Sequence, residues 1–337
     1  MKELFVLVAN PTQMMNAIEA RHFYKSEFVR FHLVVFSDAV AYIEQILALA
    51  DDQWNKIIYR PGKPGKFNSV WNAFKKRNFI HSVLRSAKQG DAIMIGNIHH
   101  FGCCAIAYLW NDEGNIYALD DGLGTVNWDM QLRDAKVWRP KPAKGWKGKL
   151  EKWLLGNPII ELDKLKFFSV YPLSHFTNCD ENNFISLRND FSGKKIEKNL
   201  VLFLDQPLVE LGIVSLDDYQ AMMGKICAHY KLMGLEFKIV RHRAAHFRNA
   251  IDGLDYLEFN QPIEWEMKDW KSLPGTVSTF YSSGVYHLSK MSQGAICADF
   301  WQIQSEDGDI RVQPKLMNWL GQHSLAHMNV INVSMGW

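Results

Sequence analysis

Short apolar runs alternate with longer amphipathic stretches along the first third of the chain. The apolar runs predict strands at 4–8, 31–36, 56–59, 92–95 and 116–119. The stretches between them place apolar residues at helical spacing and predict helices that begin near residues 10, 40, 69 and 103. This alternation is typical of a parallel sheet covered by helices on both faces, which is the doubly wound arrangement.

The same alternation resumes after a polar stretch at 190–198, which we interpret as a linker. Strands are predicted at 199–204, 237–240, 256–259 and 277–281, and a final helix runs from about 315 to 327. We therefore predict an α/β protein of GT-B architecture, in which two Rossmann-like domains face each other across a cleft. The predicted parts are a first domain at 1–195, a second domain at 196–315 and a C-terminal helix at 316–337 that crosses back to the first domain.

Composition narrows the class of protein. The chain has 337 residues, of which 47% are hydrophobic and 22% are charged, and this excludes an intrinsically disordered protein. The net charge of +2 gives no support for nucleic-acid binding. The five cysteines lack C-x-x-C spacing, so they indicate neither a zinc site nor a disulfide framework. Because the N-terminal apolar run is too short for a signal peptide and no run approaches the ~18 residues of a membrane span, we expect a cytoplasmic protein.

Two adjacent carboxylates and a glycine, Asp120-Asp121-Gly122, end the predicted strand at 116–119. Neighbouring side chains on a strand point to opposite faces, so the two carboxylates are expected to differ in environment and pKa. One of them could act as a base while the other holds the loop. The alternative is a hairpin turn, since Asp-Gly is a common turn dipeptide and Leu123-Gly124-Thr125 continues in turn-like composition.

Polar residues also follow two other predicted strands of the first domain. In doubly wound sheets, ligands bind at the carboxyl ends of the strands. We therefore expect five residues to converge on one wall of the cleft, although each alone could be a helix cap or a turn residue. These residues are Asn10, Gln13, Gly96, Asn97 and Asp120.

The second domain repeats this pattern at its own strand ends. Arg241-His242-Arg243 follows the strand at 237–240 and is interpreted as a phosphate clamp, the alternative being a basic surface turn. Ser282 and Ser283 stand at a strand-to-helix turn, where hydroxyl and backbone N–H groups bind phosphate.

A basic, tryptophan-containing run occupies residues 133–152. It has eight basic residues and two acidic ones, and Trp138, Trp146 and Trp153 lie within it or directly after it. This composition favours contact with an anionic partner or a membrane interface. The alternative is a solvated excursion whose tryptophans pack back on the domain.

The order of these short motifs resembles bacterial sialyltransferases of the lipooligosaccharide type, glycosyltransferase family 52, and their relatives the capsule polysialyltransferases. The resemblance extends over nearly the whole chain. The motifs are Asn10-Pro11-Thr12-Gln13, Asp120-Asp121-Gly122, Gln206-Pro207-Leu208, the strand that leads to His242, Pro262-Ile263-Glu264 and Phe280-Tyr281-Ser282-Ser283. The chain departs from the family pattern at Arg243, where the family has proline after its histidine.

The resemblance implies a role for each of these residues. Asp120 would be the general base, with Asp121 beside it, and His242 would be the general acid or a phosphate ligand. The donor would be bound by residues of the second domain, and the first domain would bind the acceptor. The implied donor-binding residues are Gln206, Pro207, Arg241, Glu264, Ser282 and Ser283, and the implied acceptor or cleft residues are Asn10, Gln13, Gly96 and Asn97.

The resemblance also implies the reaction. The enzyme would move sialic acid from CMP-sialic acid to a galactoside-type hydroxyl of a bacterial surface glycan, with inversion and without a metal or other cofactor. The acceptor would be lipid-linked, so the enzyme would work at the anionic inner face of the cytoplasmic membrane, and a homodimer is left open. The alternatives are a transferase that uses CMP-Kdo, a polysialyltransferase, and a non-catalytic CMP-binding protein of surface-glycan assembly.

Overall fold

A computed structural model gives the structure of the protein. It describes residues 2–37, 39–59, 69–88, 90–110, 115–132, 134–142, 144–176, 178–242, 251, 253–304, 312–323, 325 and 327–334. The chain forms two compact units, Met1–Ile185 and Ser186–Trp337. Residue 195, where the sequence predicted the boundary between the domains, is the first residue of a strand of the second unit.

The first unit is built on a seven-stranded parallel sheet with the order β3-β2-β1-β4-β5-β8-β9. Its strands are β1 Glu3–Val8, β2 Arg30–Val35, β3 Lys56–Tyr59, β4 Ala92–Ile95, β5 Ile116–Leu119, β8 Lys166–Ser169 and β9 Cys179–Glu181. Its helices are α1 Pro11–Phe23, α2 Val40–Leu49, α3 Ser69–Ser86, α4 Phe101–Trp110, α5 Leu123–Gln131 and α6 Trp146–Leu155. The next helix, α7 Ile185–Phe191, begins at the last residue of the first unit and continues into the second. A two-stranded antiparallel sheet, β6 Val137–Trp138 with β7 Ile160–Glu161, closes the excursion that contains α6.

The second unit is built on a six-stranded parallel sheet with the order β12-β11-β10-β13-β14-β15. Its strands are β10 Lys195–Leu204, β11 Glu236–Val240, β12 Asp255–Leu257, β13 Ser272–Thr279, β14 Cys297–Gln304 and β15 Met328–Ser334. Its helices are α8 Leu216–Leu232, α9 Ile263–Glu266, α10 Ser283–Met291 and α11 Pro314–Gln322. The helix predicted at 315–327 is shorter, and β15, which follows it, pairs with β14 of the same unit.

Both sheets have the strand order of the Rossmann fold, 3-2-1 followed by 4-5, within their own unit. The order reverses between β1 and β4 in the first unit and between β10 and β13 in the second. The central strands are continuous apolar runs because helices cover both faces of a parallel sheet; Leu4–Val8 and Val201–Leu204, for example, are buried. The fold class predicted from the sequence, with two Rossmann-like domains, is confirmed.

No helix in the described part of the chain has the length and apolar character of a membrane span. The five cysteines are free thiols, as their spacing indicated.

Candidate active site

The strand order of the first unit brings polar side chains together at the carboxyl ends of β1, β4 and β5. Asp121, which follows β5, accepts hydrogen bonds from three side-chain amides. Asn10 Nδ2 and Gln13 Nε2 donate to Asp121 Oδ1 over 2.8 and 2.7 Å, and Asn97 Nδ2 donates to Asp121 Oδ2 over 2.5 Å. These four residues form the first switch point, named for the reversal of strand order at which they lie.

The oxygen atom of each of these amides is bound to backbone N–H groups, so the NH₂ group must face Asp121. Asn10 Oδ1 caps α1 by accepting from Gln13 N over 2.9 Å, and Gln13 Oε1 accepts from Ala9 N over 2.7 Å. Asn97 Oδ1 accepts from the N–H groups of His99 and His100, at the turn that leads into α4. The cap that begins α1 and the turn that leads into α4 therefore also orient donors toward one carboxylate.

Gly96 explains how Gln13 can approach so closely. A Cβ atom at residue 96 would overlap the side-chain amide of Gln13 and would lie 2.8 Å from the backbone oxygen of Leu7. The side chain of Gln13 thus occupies the space that any other residue at 96 would fill. The predicted cleft residues Asn10, Gln13, Gly96 and Asn97 all lie at this edge, and they surround Asp121 rather than Asp120.

Asp121 has the properties that a general base needs. Burial raises its pKa, and the hydrogen bonds from Asn10 and Gln13 oppose that increase. Among the described residues, two donors occupy the lone pairs of Oδ1, whereas Oδ2 accepts from Asn97 alone and so can accept one more proton. The residue as a whole is half-buried.

Asp120 has a different environment, with a side chain that is 0% exposed. Ser169 Oγ donates to its Oδ1 over 2.7 Å and the backbone N–H of Val170 donates to its Oδ2, so the carboxylate fixes the chain at the end of β8. Asn16 Nδ2 donates to its backbone oxygen over 3.3 Å. The base role predicted for Asp120 does not fit this position, because an acceptor hydroxyl cannot reach a carboxylate that has no exposed surface.

The turn after β5 explains why the two carboxylates differ. Gly122 has a φ of +62°, a backbone conformation that favours glycine, and α5 begins directly after it. The Asp-Asp-Gly sequence is thus a strand-to-helix turn and not the hairpin that was the alternative. The backbone N–H of Asp121 donates to Thr125 Oγ1 over 2.8 Å, which holds the turn against α5.

The carboxyl ends of β10 and β13 form the second switch point, where Asp205 and Gln206 follow β10 and Ser282 and Ser283 follow β13. Asp205 is 5% exposed, and its Oδ1 accepts from Tyr219 Oη over 2.7 Å and from the backbone N–H of Gln206 over 2.7 Å. Burial raises the pKa of Asp205 to about 6, against the effect of these hydrogen bonds. Pro207 is buried behind Gln206, whose side-chain amide donates to the backbone oxygen of Asp205.

Arg241 and His242 follow β11, next to β10. The guanidinium of Arg241 lies 4.7 Å from the centre of the Tyr256 ring and 3.4 Å from Glu258 Oε1, and its charge lowers the pKa of Asp205. His242 is half-buried. Arg243, the departure from the family pattern, lies outside the described residues.

The two predicted phosphate serines begin α10. Ser282 is the N-cap and accepts from the backbone N–H of Gly284 over 3.3 Å, and Ser283 is the first helical residue, half-buried like Ser282. A helix N-terminus of this kind presents backbone N–H groups to an anion.

Glu264, the predicted ribose contact, lies on α9 and is 4% exposed. Its Oε1 lies 2.7 Å from Nδ1 of His287, which is fully buried on α10. The two helices pack closely at Gly284 of α10, where a Cβ atom would lie 2.9 Å from Cγ2 of Ile263 of α9. The Glu264–His287 pair therefore joins α9 to α10 at the second switch point.

Neither Asp205 nor its partner Tyr219 is marked as a site residue by the sequence pattern. Asp205 ends a predicted buried strand, which is the same signal that marked Asp120, but it precedes a Gln-Pro sequence typical of a turn. Tyr219 lies one turn into α8, and the sequence gives no sign that its hydroxyl reaches back to β10.

The described residues contain no group of three or more His, Cys, Asp or Glu side chains placed to hold a metal ion. The absence of a metal requirement stays a prediction.

No protein-family model and no curated protein matches the chain. The fold is similar to that of solved structures at low sequence identity. The Staphylococcus aureus MnaA–UDP co-structure has a TM-score of 0.54 at 10% identity, over 99% of this chain and 85% of that one. The Methanocaldococcus jannaschii UDP-GlcNAc 2-epimerase in complex with UDP-GlcNAc and UDP has a TM-score of 0.51 at 10% identity, over 100% and 90% of the two chains. The Escherichia coli ADP-heptose lps heptosyltransferase II matches at a TM-score of 0.41 and 12% identity, over 100% and 92%. The first two of these similarities, together with the strand orders of the two units, show the GT-B fold.

Proposed function

We propose that this protein is an inverting glycosyltransferase that moves sialic acid from CMP-sialic acid to a hydroxyl of a galactoside-type acceptor. The observation that carries the proposal is the carboxylate of Asp121, which three oriented amides hold at the first switch point with one acceptor position left open. The GT-B fold is consistent with it. The choice of donor rests on the resemblance of the short motifs to family 52.

The reaction assigns a task to Asp121. The acceptor oxygen attacks the anomeric carbon of the donor, the bond from that carbon to the phosphate oxygen breaks, and CMP leaves with the bonding electrons. Asp121 Oδ2 takes the proton of the acceptor hydroxyl as the new glycosidic bond forms. Asp121 replaces Asp120 in this role, and Asp120 keeps the structural task that its contacts indicate.

The residues of the second switch point are proposed to bind the donor. The N-terminus of α10, with Ser282 and Ser283, would contact the phosphate, and His242 would stabilise the charge that develops on it. Arg241 adds positive charge to the same edge, and Gln206 is proposed to contact the nucleoside. Glu264, which was predicted to contact the ribose, is instead proposed to position α10 through its buried pair with His287. No metal is assigned a step, since hydroxyl, N–H and cationic groups can together stabilise a monophosphate leaving group.

The test is incubation of the full chain with CMP-sialic acid and a panel of galactosides, with the product linkage read by NMR. Transfer of sialic acid supports the proposal. Turnover of CMP-Kdo alone would replace sialic acid with Kdo as the donor sugar, and growth of a polymer would favour the polysialyltransferase alternative.

Two further outcomes would overturn the proposal. CMP binding without turnover of any donor would indicate a non-catalytic binding protein. Conversion of UDP-GlcNAc to its 2-epimer would indicate a reaction like that of the Methanocaldococcus jannaschii enzyme, to which the fold is similar.

A further inference from the structure

The helix α6 exposes two tryptophans to solvent in the first unit. Trp146 is 53% exposed and Trp153 is 74% exposed. They are seven residues apart, so they lie about 20° from each other around the helix axis and form one apolar strip along it. The side that packs on the unit contains Gly148 and Leu155, which are buried.

Lysines flank this strip of tryptophans. Lys147 lies on one side of it, Lys149 and Lys152 lie on the other, and all three are exposed. Lys141 and Lys144, just before the helix, are exposed as well. The outer face of α6 is therefore aromatic along its centre and positively charged at its borders.

The single acidic residue of α6 does not reduce this charge at the outer face. Glu151 is half-buried and forms an ion pair with Lys76 of α3, in which Lys76 Nζ lies 2.9 Å from Glu151 Oε1. The ion pair attaches α6 to α3 and takes up the negative charge on the inner side. Tyr108, at the end of α4, is 44% exposed and lies near Gly156, the residue that follows α6, so a third exposed aromatic side chain lies near the C-terminal end of the helix.

We propose that this outer face of α6 binds an anionic lipid surface, with the helix lying in the plane of the interface. Indole and phenol rings prefer the headgroup region, where their apolar body and their polar N–H or O–H group are both accommodated. The bordering lysines match the negative charge of phospholipid headgroups. A helix of ten residues is far too short to span a bilayer, but its length suits a helix lying in the interface.

This inference goes beyond the proposed function and does not depend on it. It assigns the attachment to defined side chains and gives the tryptophans and the lysines different tasks. The lysines attract the anionic headgroups, and salt screens this attraction. The tryptophans bury apolar surface in the interface, which salt affects little.

The experiment is co-sedimentation of the full chain with vesicles of pure phosphatidylcholine or of equal parts phosphatidylcholine and phosphatidylglycerol. We expect binding to the anionic vesicles and not to the neutral ones. The variant W146S/W153S should lose at least about tenfold in partitioning, because each indole removes a large apolar surface from water when it enters the interface. The variant K147Q/K149Q/K152Q should lose about fivefold per lysine, and its remaining binding should be less sensitive to salt.

The matched control changes exposed apolar residues elsewhere. Leu232 is 89% exposed and Met233 is 62% exposed at the end of α8 in the second unit. L232S/M233S should bind anionic vesicles like the unchanged chain. Because the substituted tryptophans and lysines are exposed, all variants should unfold at the temperature of the unchanged chain, which circular dichroism checks.

Three outcomes would overturn the inference. They are equal binding to both kinds of vesicle, no loss in W146S/W153S, and a concentration-dependent dimer that W146S/W153S abolishes, since a second copy would then cover the face. The assay contains no sugar nucleotide, so a chain that binds vesicles but transfers no sugar would refute the proposed function and leave this inference standing.

Discussion

The two switch points each contain a carboxylate at the carboxyl edge of a Rossmann-like sheet, but the surroundings of the two carboxylates differ. Asp121 of the first unit is held by uncharged side-chain amides. Asp205 of the second unit is held by a phenol and a backbone N–H, in a region that also contains Arg241, His242 and the N-terminus of α10. The same strand order thus supports two kinds of site.

This difference suggests a division of labour. An amide donor stabilises a carboxylate without supplying a full positive charge, so Asp121 stays basic enough to accept a proton. Cationic and N–H groups suit an anionic ligand, which is what a nucleotide phosphate is. The difference supports the proposal that proton transfer belongs to the first switch point and donor binding to the second.

The largest expected effect comes from removing the carboxylate of Asp121. Asp121→Asn should lose about 1–3 kcal/mol of stability, because its NH₂ group would face an amide donor. It should still fold, bind CMP normally and lose transfer by at least ~100-fold, since a positioned general base contributes roughly two to four orders of magnitude. Steady-state kinetics with saturating acceptor measure the loss in kcat.

Asp120→Asn is the matched control at the neighbouring position. The new amide can take two orientations. In one its NH₂ group would face a backbone N–H, and in the other it would take the place of the oxygen that accepts from Ser169. We therefore expect a loss of about 1–3 kcal/mol in the free energy of unfolding. Urea denaturation measures that loss, and kcat per folded molecule should stay near the unchanged value. The opposite result, full activity in Asp121→Asn and none in a folded Asp120→Asn, would return the base role to Asp120.

The next effect tests the second switch point as an anion site. Ser282→Ala with Ser283→Ala should weaken CMP binding, each lost hydrogen bond to a charged group being worth roughly 1.5–3 kcal/mol. Titration calorimetry measures the affinity. Ser282→Ala alone should also cost about 1 kcal/mol of stability, because Ser282 caps α10.

Ser292, at the opposite end of α10, provides the control for the serine pair. Its hydroxyl donates to the backbone oxygen of Ser289 within the helix end. Ser292→Ala should leave CMP affinity unchanged. Equal affinity in the double variant and the control would exclude the N-terminus of α10 as the phosphate site and would remove the contrast between the two switch points.

A third effect concerns the pH dependence of stability. The pKa of Asp205 is raised to about 6, so the folded state binds a proton that the unfolded state has released between about pH 4 and pH 6. This group therefore makes the protein less stable as pH rises through that window. Asp205→Asn, which keeps an acceptor oxygen for Tyr219, should be more stable than the unchanged chain at pH 7, by roughly 3 kcal/mol, and close to it near pH 4. Thermal or urea unfolding at the two pH values measures the stability of both proteins. A stability gain of the same size at both pH values would mean that the ionisation of the Asp205 carboxyl does not cause it.

The sequence predicted most of the first switch point because two simple patterns define it. Apolar runs fix where each strand ends, and parallel strands bring their carboxyl ends to one edge, so Asn10, Gln13, Gly96 and Asn97 could be placed before the structure was known. The choice between Asp120 and Asp121 could not be made in this way. It depends on the backbone turn at Gly122, and a dipeptide typical of hairpins gives no sign that a helix follows.

The second unit was harder to predict where its segments depart from simple alternation. The last strand, β15, follows a helix that the pattern extended too far, and its buried partner strand β14 begins in a mixed sequence at Cys297. Asp205 was missed because its environment is made by Tyr219 and Gln206 through contacts that form only in the folded chain. Periodicity locates strand ends, but it does not show which buried polar groups will meet there.

The smallest expected effect tests the role of the amides at the first switch point. Gln13→Leu removes one of the donors that lower the pKa of Asp121, so burial should raise that pKa further. A base must be ionised to act, and therefore the acid limb of the kcat/KM profile should shift to higher pH while the rate at high pH changes by less than about tenfold. Gly96→Ala should shift the limb in the same direction, because its Cβ would overlap the amide of Gln13. A uniform loss of rate across the pH range in both variants would show that Gln13 supports the shape of the site and not the basicity of Asp121.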